Sequence, residues 1–165
     1  QDRPVPDAAL ASLLEAARWA PSCFNAQPWH LIVARREREA EAHAALAACL
    51  SGNNRRWAPQ APVLMLAVAR TAFPQDGSPN RHAGYDTGAA MAQMAAQAVA
   101  LGLQIHQMGG FDPHRAREAF APYAAIAIGY PGPADALPED LRAREQAPRQ
   151  RRAVADFAFF GGWRA

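Results

Sequence analysis

The chain has 165 residues, half of them apolar, which is enough for one domain with a sizeable core and too apolar for a disordered protein. Its formal net charge of +2 is too small to indicate nucleic-acid binding. No apolar run approaches the ~20 residues that cross a membrane, and the first residues do not form a secretory signal. We therefore expect a single domain over residues 1–165 in the cytoplasm, with no membrane or nucleic-acid partner.

The cysteines and histidines do not predict a metal site. Cys23 and Cys49 are too few for a disulfide framework or a zinc site, and the five histidines have no ligand spacing such as HExxH. Neither GxGxxG nor a Walker loop occurs, which argues against a Rossmann or P-loop nucleotide site. A reactive thiol at Cys23 has to be considered, but a small buried hydrophobic side chain is the favoured interpretation.

Helical and strand patterns alternate imperfectly along the chain, which predicts a mixed sheet between helical layers. Apolar residues at i, i+3, i+4 and i+7 predict a first helix that Asp7 caps and Pro21 ends. Further helices are predicted over Glu37–Leu50, Tyr85–Leu101 and Pro113–Phe120, and strands over Leu31–Ala34, Pro62–Val68, Leu103–Met108, Ala124–Tyr130 and Val154–Phe160. The loop Phe73–Arg81 is expected near an entrance, and Ala134–Arg152 is expected to be a polar surface arm.

The predicted helix Tyr85–Leu101 has small and apolar residues on every side. A helix of this kind must be covered all round. In so short a chain, that requirement indicates a subunit interface. Asp86 is placed to cap the helix, an interpretation we favour over a catalytic role.

A short polar loop between Pro21 and Pro28 is the most informative segment for function. It carries Ser22, Asn25 and Gln27, which are neutral hydrogen-bonding residues between two rigid elements. Such residues suit an uncharged ring whose edge has both donors and acceptors, such as a flavin. They suit a phosphate or a metal poorly. The alternative is a helix-ending loop whose side chains satisfy its own backbone.

Two later segments also have the composition of a binding site. Gly109 and Gly110 follow a predicted strand, where glycines let the backbone approach a ligand closely. An ordinary strand-to-helix turn would look the same. The basic cluster over residues 148–152 contains Arg149 and Arg151, whose guanidinium groups can bind phosphate in bidentate fashion. A solvated run of charges is the alternative.

The segment Arg18–Trp29 resembles the opening motif of the FMN-dependent nitroreductase family, and later segments resemble that family in the same order. These segments are Asn54-x-x-Trp57 with Ala61–Leu64, Tyr85–Ala90, Gly102-Leu103, Met108–Asp112, Ile128–Pro131 and the basic residues before a last strand ending at Trp163. The likeness covers nearly the whole chain, so it is far more specific than any single motif.

The resemblance implies an α+β fold with a mixed, largely antiparallel sheet in a three-layer sandwich, and an intertwined homodimer. It further implies an enzyme that moves a hydride from NAD(P)H through FMN to a small electron-poor acceptor, such as a nitroaromatic or a quinone. The sequence offers no convincing catalytic side chain. The rival interpretation is an FMN-binding or storage module without turnover.

The resemblance also assigns roles to individual residues. The first loop would reach the flavin across the dimer interface, and Gly109 would offer its N–H to flavin N5. Asn54 and Arg56 would contact the polar edge of the ring or the ribityl chain. Arg149 and Arg151 would bind the phosphate and the pyrimidine end. For Asn54 and Arg56, a plain surface loop is about as good an interpretation. The full implied cofactor-binding set is Pro21, Ser22, Cys23, Asn25, Gln27, Asn54, Arg56, Met108, Gly109, Gly110, Arg149 and Arg151.

Two departures from the family pattern matter. Many relatives carry an acidic residue where this chain has Gly109, although a backbone N–H suffices for the expected contact. Relatives also carry an Arg-Arg-Ser-type phosphate-binding segment shortly before the stretch that matches Arg3–Pro6, whereas this sequence begins at Gln1. Either that segment lies upstream, or half of the phosphate clamp is lost and FMN binding is weakened.

Overall fold

The structure, a computed structural model, describes residues 1–112, 121–154 and 158. The chain packs as two compact units, residues 1–132 and 133–165. The first unit holds four helices and four strands among its described residues: α1 (Asp7–Arg18), β1 (Trp29–Arg35), α2 (Ala40–Cys49), α3 (Asn54–Trp57), β2 (Val63–Ala69), α4 (Ala83–Ala100), β3 (Gln104–Met108) and β4 (Ala121–Gly129). The second unit contains α5 (Glu139–Gln146).

The strands form one four-stranded sheet in the order β1-β2-β4-β3. Each neighbouring pair is antiparallel, with Trp29 opposite Ala69 at one end of the β1–β2 pair and Met108 opposite Ala125 in the β3–β4 pair. The α+β class is confirmed. The expected mixture of parallel and antiparallel pairs is wrong for the described strands, because β1 and β4 run in one direction and β2 and β3, which alternate with them in the sheet, run in the other.

Helices cover both faces of this sheet. Met65 and Ile126 on one face pack with residues of α1 and α4, and Leu64 and Ala127 on the other face pack with residues of α2 and α3. All seven residues of β2 are buried. The first unit is therefore a three-layer sandwich with one core on each side of the sheet.

The predicted cap of α1 is corrected by the structure. Pro6 occupies the position before α1, and Asp7 makes no capping hydrogen bond. Its carboxylate instead accepts hydrogen bonds from Arg35 and Arg38 at 2.9 and 2.8 Å. The polar segment Ala134–Arg152, expected to be a surface arm, contains the helix α5, which was not predicted. The predicted helix Pro113–Phe120 and most of the predicted strand Val154–Phe160 lie outside the described residues.

An ion-pair network joins the end of β1 to the segment that leads into α2. Glu39 accepts hydrogen bonds from the Arg35 backbone N–H at 3.0 Å and from Arg35 Nε at 2.9 Å. The Arg35 guanidinium also reaches Asp7 at the start of α1. These contacts fix three elements at the end of the sheet where β1 stops.

Replacing Glu39 with glutamine should destabilise the fold slightly at neutral pH and not in strong acid. Hydrogen bonds from the Arg35 side chain, and then from its backbone, lower the pKa of Glu39 from 4.5 to about 2. The carboxylate therefore stabilises the folded state above about pH 4.5, and this contribution is lost as the pH falls through about 2. Urea unfolding across that range measures the difference, which should be small because the pair is partly exposed. Glu37→Gln is the control at an exposed neighbour, and a pH-independent difference for Glu39→Gln would contradict the assignment.

Candidate functional site

The loop between α1 and β1 has an unusual backbone. Phe24, Asn25 and Gln27 have φ values of 50°, 53° and 44°, in the left-handed region that residues other than glycine seldom adopt. Such conformations cost of order 1–3 kcal/mol each and persist only where the surroundings hold them. Clusters of this kind are typical of functional sites.

Contacts from inside and outside the loop hold this conformation. Asp86 Oδ2 on α4 accepts a hydrogen bond from the Cys23 backbone N–H at 3.0 Å. Ser22 Oγ accepts one from the Gln27 N–H at 3.0 Å, and Gln27 Nε2 donates to Asn25 O at 3.4 Å. The side chains of Ser22 and Gln27 thus form hydrogen bonds with the loop's own backbone, as expected for a helix-ending loop. These contacts fix the loop conformation without a ligand.

Aromatic side chains lie within this loop and on the elements that contact it. The ring of Phe24 is 81% exposed and meets the ring of Phe73 edge-on, with centroids 5.8 Å apart. Trp19 and Tyr85 are also largely exposed. Phe73 begins the loop that the sequence predicted near an entrance, so the two loops do lie against each other.

A second group of predicted residues meets at the end of β3. Asn54 Nδ2 donates a hydrogen bond to Gly110 O at 3.2 Å, and the Ser51 N–H donates to the same oxygen at 3.0 Å. Leu50 and Phe111 form an isolated bridge between the two segments. Asn54 and Gly110 are therefore neighbours although 56 residues separate them.

The space around the two glycines differs. A Cβ atom at Gly110 would lie 2.8 Å from Asn54 Nδ2 and 3.3 Å from Ser51 Oγ, whereas a Cβ atom at Gly109 would have nothing within 4 Å. Gly109 thus offers backbone to open space, and Gly110 allows the two segments to touch. The side chain of Met108 is buried in the core beside α2 and α3, so only its backbone is available to a ligand.

Arginines frame the Asn54 segment. Arg55 Nε donates to Leu50 O at 2.9 Å and Arg55 Nη2 to Ala48 O at 3.4 Å, which places a cation at the carbonyl end of α2. Arg56 Nη1 donates to Asn53 Oδ1 at 3.4 Å. The sequence analysis named Arg56 but not Arg55 or Ser51. Ser51 bonds directly to Gly110, and Arg55 ties the segment that contains Asn54 to the end of α2.

The two groups of residues are separated within one chain. Both loops leave the same end of the sheet, but β1 and β3 are its opposite edges, three strand spacings or roughly 14 Å apart. The first loop is bonded to α4 on one face, and the second packs against the end of α2 on the other. Within the first unit of one chain, the two groups of predicted residues are therefore apart from each other.

The remaining predicted residues belong to the second unit. Arg149 and Arg151 are exposed, and Arg151 Nη1 donates to the neighbouring Gln150 O at 2.8 Å. Among residues 133–154 and 158, which the structure describes in this unit, no contact assigns them a ligand.

The chemistry of the first unit suits a neutral planar ring better than a metal. The described residues contain no group of three His, Cys, Asp or Glu side chains that could hold a metal ion. Asn54 leaves its side-chain oxygen as an acceptor, and Gly109 provides room for a ring edge to approach the backbone.

Within the described residues, no helix is both long and apolar enough to span a bilayer.

Comparison with known proteins gives consistent matches. The pattern that describes the Nitroreductase family matches residues 1–130. A protein of Stenotrophomonas maltophilia is provisionally named an NADH dehydrogenase/NAD(P)H nitroreductase. It is 30% identical to this chain, and the match covers 83% of this chain and 81% of the length of that protein. An uncharacterised 15.4 kDa protein of Mycolicibacterium smegmatis is 36% identical over 54% of this chain, and the match spans 64% of that protein's length. A crystal structure described as an oxidoreductase containing FMN has a TM-score of 0.91 and 34% identity, covering 99% of this chain and 85% of its own.

Proposed function

Since the chain belongs to the nitroreductase family, we propose that it is a flavin oxidoreductase that binds FMN between two copies of itself. It uses NAD(P)H as electron donor and reduces a small electron-poor acceptor such as a nitroaromatic or a quinone. The similar oxidoreductase that contains FMN and the similar protein named for NAD(P)H support the cofactor and the donor.

The observation that carries the proposal is the contact between Asn54 and Gly110 beside the open space at Gly109. Backbone next to a glycine can come within hydrogen-bond distance of a flat ring, because no Cβ intervenes. Asn54 and Ser51 hold the segment in this position through Gly110 O. The protein's share of the chemistry is to fix this edge before the ring arrives.

Each group of residues has a separate task. Bound FMN would supply the hydride chemistry, accepting at N5 from NAD(P)H and giving to the acceptor. The Gly109 N–H would donate to N5. Asn54 and Arg56 would contact the polar side of the ring, and Arg149 and Arg151 would neutralise the phosphate and the pyrimidine end. Pro21, Ser22, Cys23, Asn25 and Gln27 complete the site from the partner chain. No side chain acts as a general acid.

Two features of the first unit support the proposed homodimer. One face of α4 packs on the sheet, whereas the opposite face leaves Tyr85, Ala92, Ala96 and Val99 exposed at near-helical spacing. This apolar face, which we call the outer face of α4, needs a cover. A second copy would supply one and would also bring its first loop to the Gly109 segment. Obligate interfaces of this kind bury over ~2,000 Å².

Spectroscopy on the purified protein tests the proposal. Bound flavin that bleaches when NAD(P)H is added and regains its colour with a nitroaromatic or quinone is the expected result. Flavin that remains oxidised in the presence of both NADH and NADPH would instead identify an FMN-binding or storage module. A protein that binds no FMN when it is supplied in excess would contradict the proposal.

Arg151→Ala should weaken FMN binding about tenfold or more, because a charged hydrogen bond contributes roughly 1.5–3 kcal/mol. Arg151→Lys should retain part of the affinity, since the charge is kept and the bidentate geometry is lost. Titration of the flavin-free protein with FMN measures both. Equal affinity for Arg151→Ala and wild type would make the basic run a solvated surface, and Arg144→Ala on α5 is the matched control.

A further inference from the structure

We propose that Asp86 is a positioning residue that holds the first loop, residues 22–27, in the geometry needed to contact a flavin held by the partner chain. The inference rests on the function proposed above. Asp86 lies in the first turn of α4, but its carboxylate accepts a hydrogen bond from another element, 63 residues away along the chain.

Burial makes this contact strong. Asp86 is 5% exposed, and a buried carboxylate must be hydrogen-bonded or paired to be tolerated. Its Oδ2 accepts the Cys23 N–H at 3.0 Å. A hydrogen bond with one charged partner is stronger than a neutral one, so Asp86 fixes the point from which the loop departs.

The strained backbone makes an external anchor necessary. Three left-handed residues, Phe24, Asn25 and Gln27, lie within the four positions after Cys23. The internal bonds from Gln27 shape the loop but cannot set its position on the rest of the protein. The hydrogen bond between Cys23 and Asp86 can set this position, because it joins the loop to α4.

The choice of α4 as the anchoring element has a consequence for the dimer. The outer face of α4 is the surface proposed to meet the second copy. A loop attached to α4 keeps a fixed position relative to that copy and therefore to the flavin the copy holds. Asp86 thus links the interface helix to the ring-binding loop.

Replacing Asp86 tests the inference. Asp86→Ala should raise the FMN dissociation constant about tenfold, the loss expected for a charge-assisted hydrogen bond. Asp86→Asn, which keeps an acceptor oxygen, should recover most of the affinity. Hydrogen exchange of the Cys23 amide, followed by NMR, should be faster in Asp86→Ala and near wild type in Asp86→Asn. Asp86→Leu replaces the alanine variant if that variant does not fold.

A matched control separates positioning from general stability. Glu39 also accepts a backbone N–H with its carboxylate, that of Arg35, but at the opposite end of β1. Glu39→Ala should lower stability and leave the FMN dissociation constant unchanged. Sedimentation should show a dimer for every variant.

The outcomes are distinct. If Asp86→Ala exposes the Cys23 amide to exchange but binds FMN like wild type, Asp86 only stabilises the loop and the inference is overturned. A protected Cys23 amide in Asp86→Ala would also overturn it, since another contact would then hold the loop. Failure of the wild-type protein to bind FMN would instead overturn the proposed function.

Discussion

Replacing Ala92 with arginine is expected to give a folded monomer that no longer retains flavin. Ala92 lies in the middle of the outer face of α4, where the small side chains allow close approach of another helix. An arginine there would bury a charge without a partner, which costs several kcal/mol. The two loops that form the proposed site lie at opposite edges of one sheet. A monomer would therefore present each loop without the partner loop that completes the site.

Sedimentation velocity at micromolar concentration and the flavin absorbance of the purified variant measure this effect. Ala44→Arg provides the control, since it places the same side chain on an exposed alanine of α2. It should remain dimeric and yellow. A dimeric, flavin-loaded Ala92→Arg variant would show that the interface lies elsewhere.

Gly110→Val should lose most of the bound flavin. The added Cβ would come within 2.8 Å of Asn54 Nδ2, so the hydrogen bond from Asn54 to Gly110 O could not survive in place. The expected collision is thus with the supporting segment of the same chain, in addition to any contact with the ring. We expect at least about a tenfold loss of FMN affinity, given a net hydrogen-bond contribution near 1 kcal/mol plus the displacement of the loop.

The neighbouring glycine provides the comparison. Gly109 has open space where a Cβ would stand, so Gly109→Glu should fold and keep FMN while altering the preference among acceptors. Flavin content and the rate of bleaching by NAD(P)H measure both variants. Full activity in Gly110→Val would show that the flavin ring does not bind at this loop. Loss of flavin in Gly109→Glu would show that the ring occupies the open space beside Gly109.

The layers of the fold could be predicted because their signals are local. Apolar runs predicted β2 and β4 to within three residues at either end, and the small-residue pattern predicted α4 almost in full. The sheet order and the all-antiparallel pairing could not be predicted, since they depend on contacts between distant segments. Helix α5 was missed because its sequence, EDLRAREQ, is nearly all polar and only Leu141 is buried.

The candidate site shows the same division between local and distant information. The polar loop, the glycine pair and Asn54 were named from the sequence, and the structure brings Asn54 and Gly110 into contact. The left-handed backbone at Phe24 was not predictable, because a phenylalanine there gives no signal of positive φ. Asp86 was assigned to its own helix, since nothing in the sequence shows that its carboxylate meets Cys23.

The complete burial of β2 affects how the chain behaves before it is folded. The run Val63–Ala69 reads VLMLAVA, with no charge and no proline, which is the composition of segments that stack into cross-β aggregates. In the native sheet it is the second strand, paired on both sides, and thus offers no free edge. The same strand that contributes to both cores is therefore an aggregation hazard in the unfolded chain, and dilution during refolding should favour pairing with β1 and β4 over pairing between molecules.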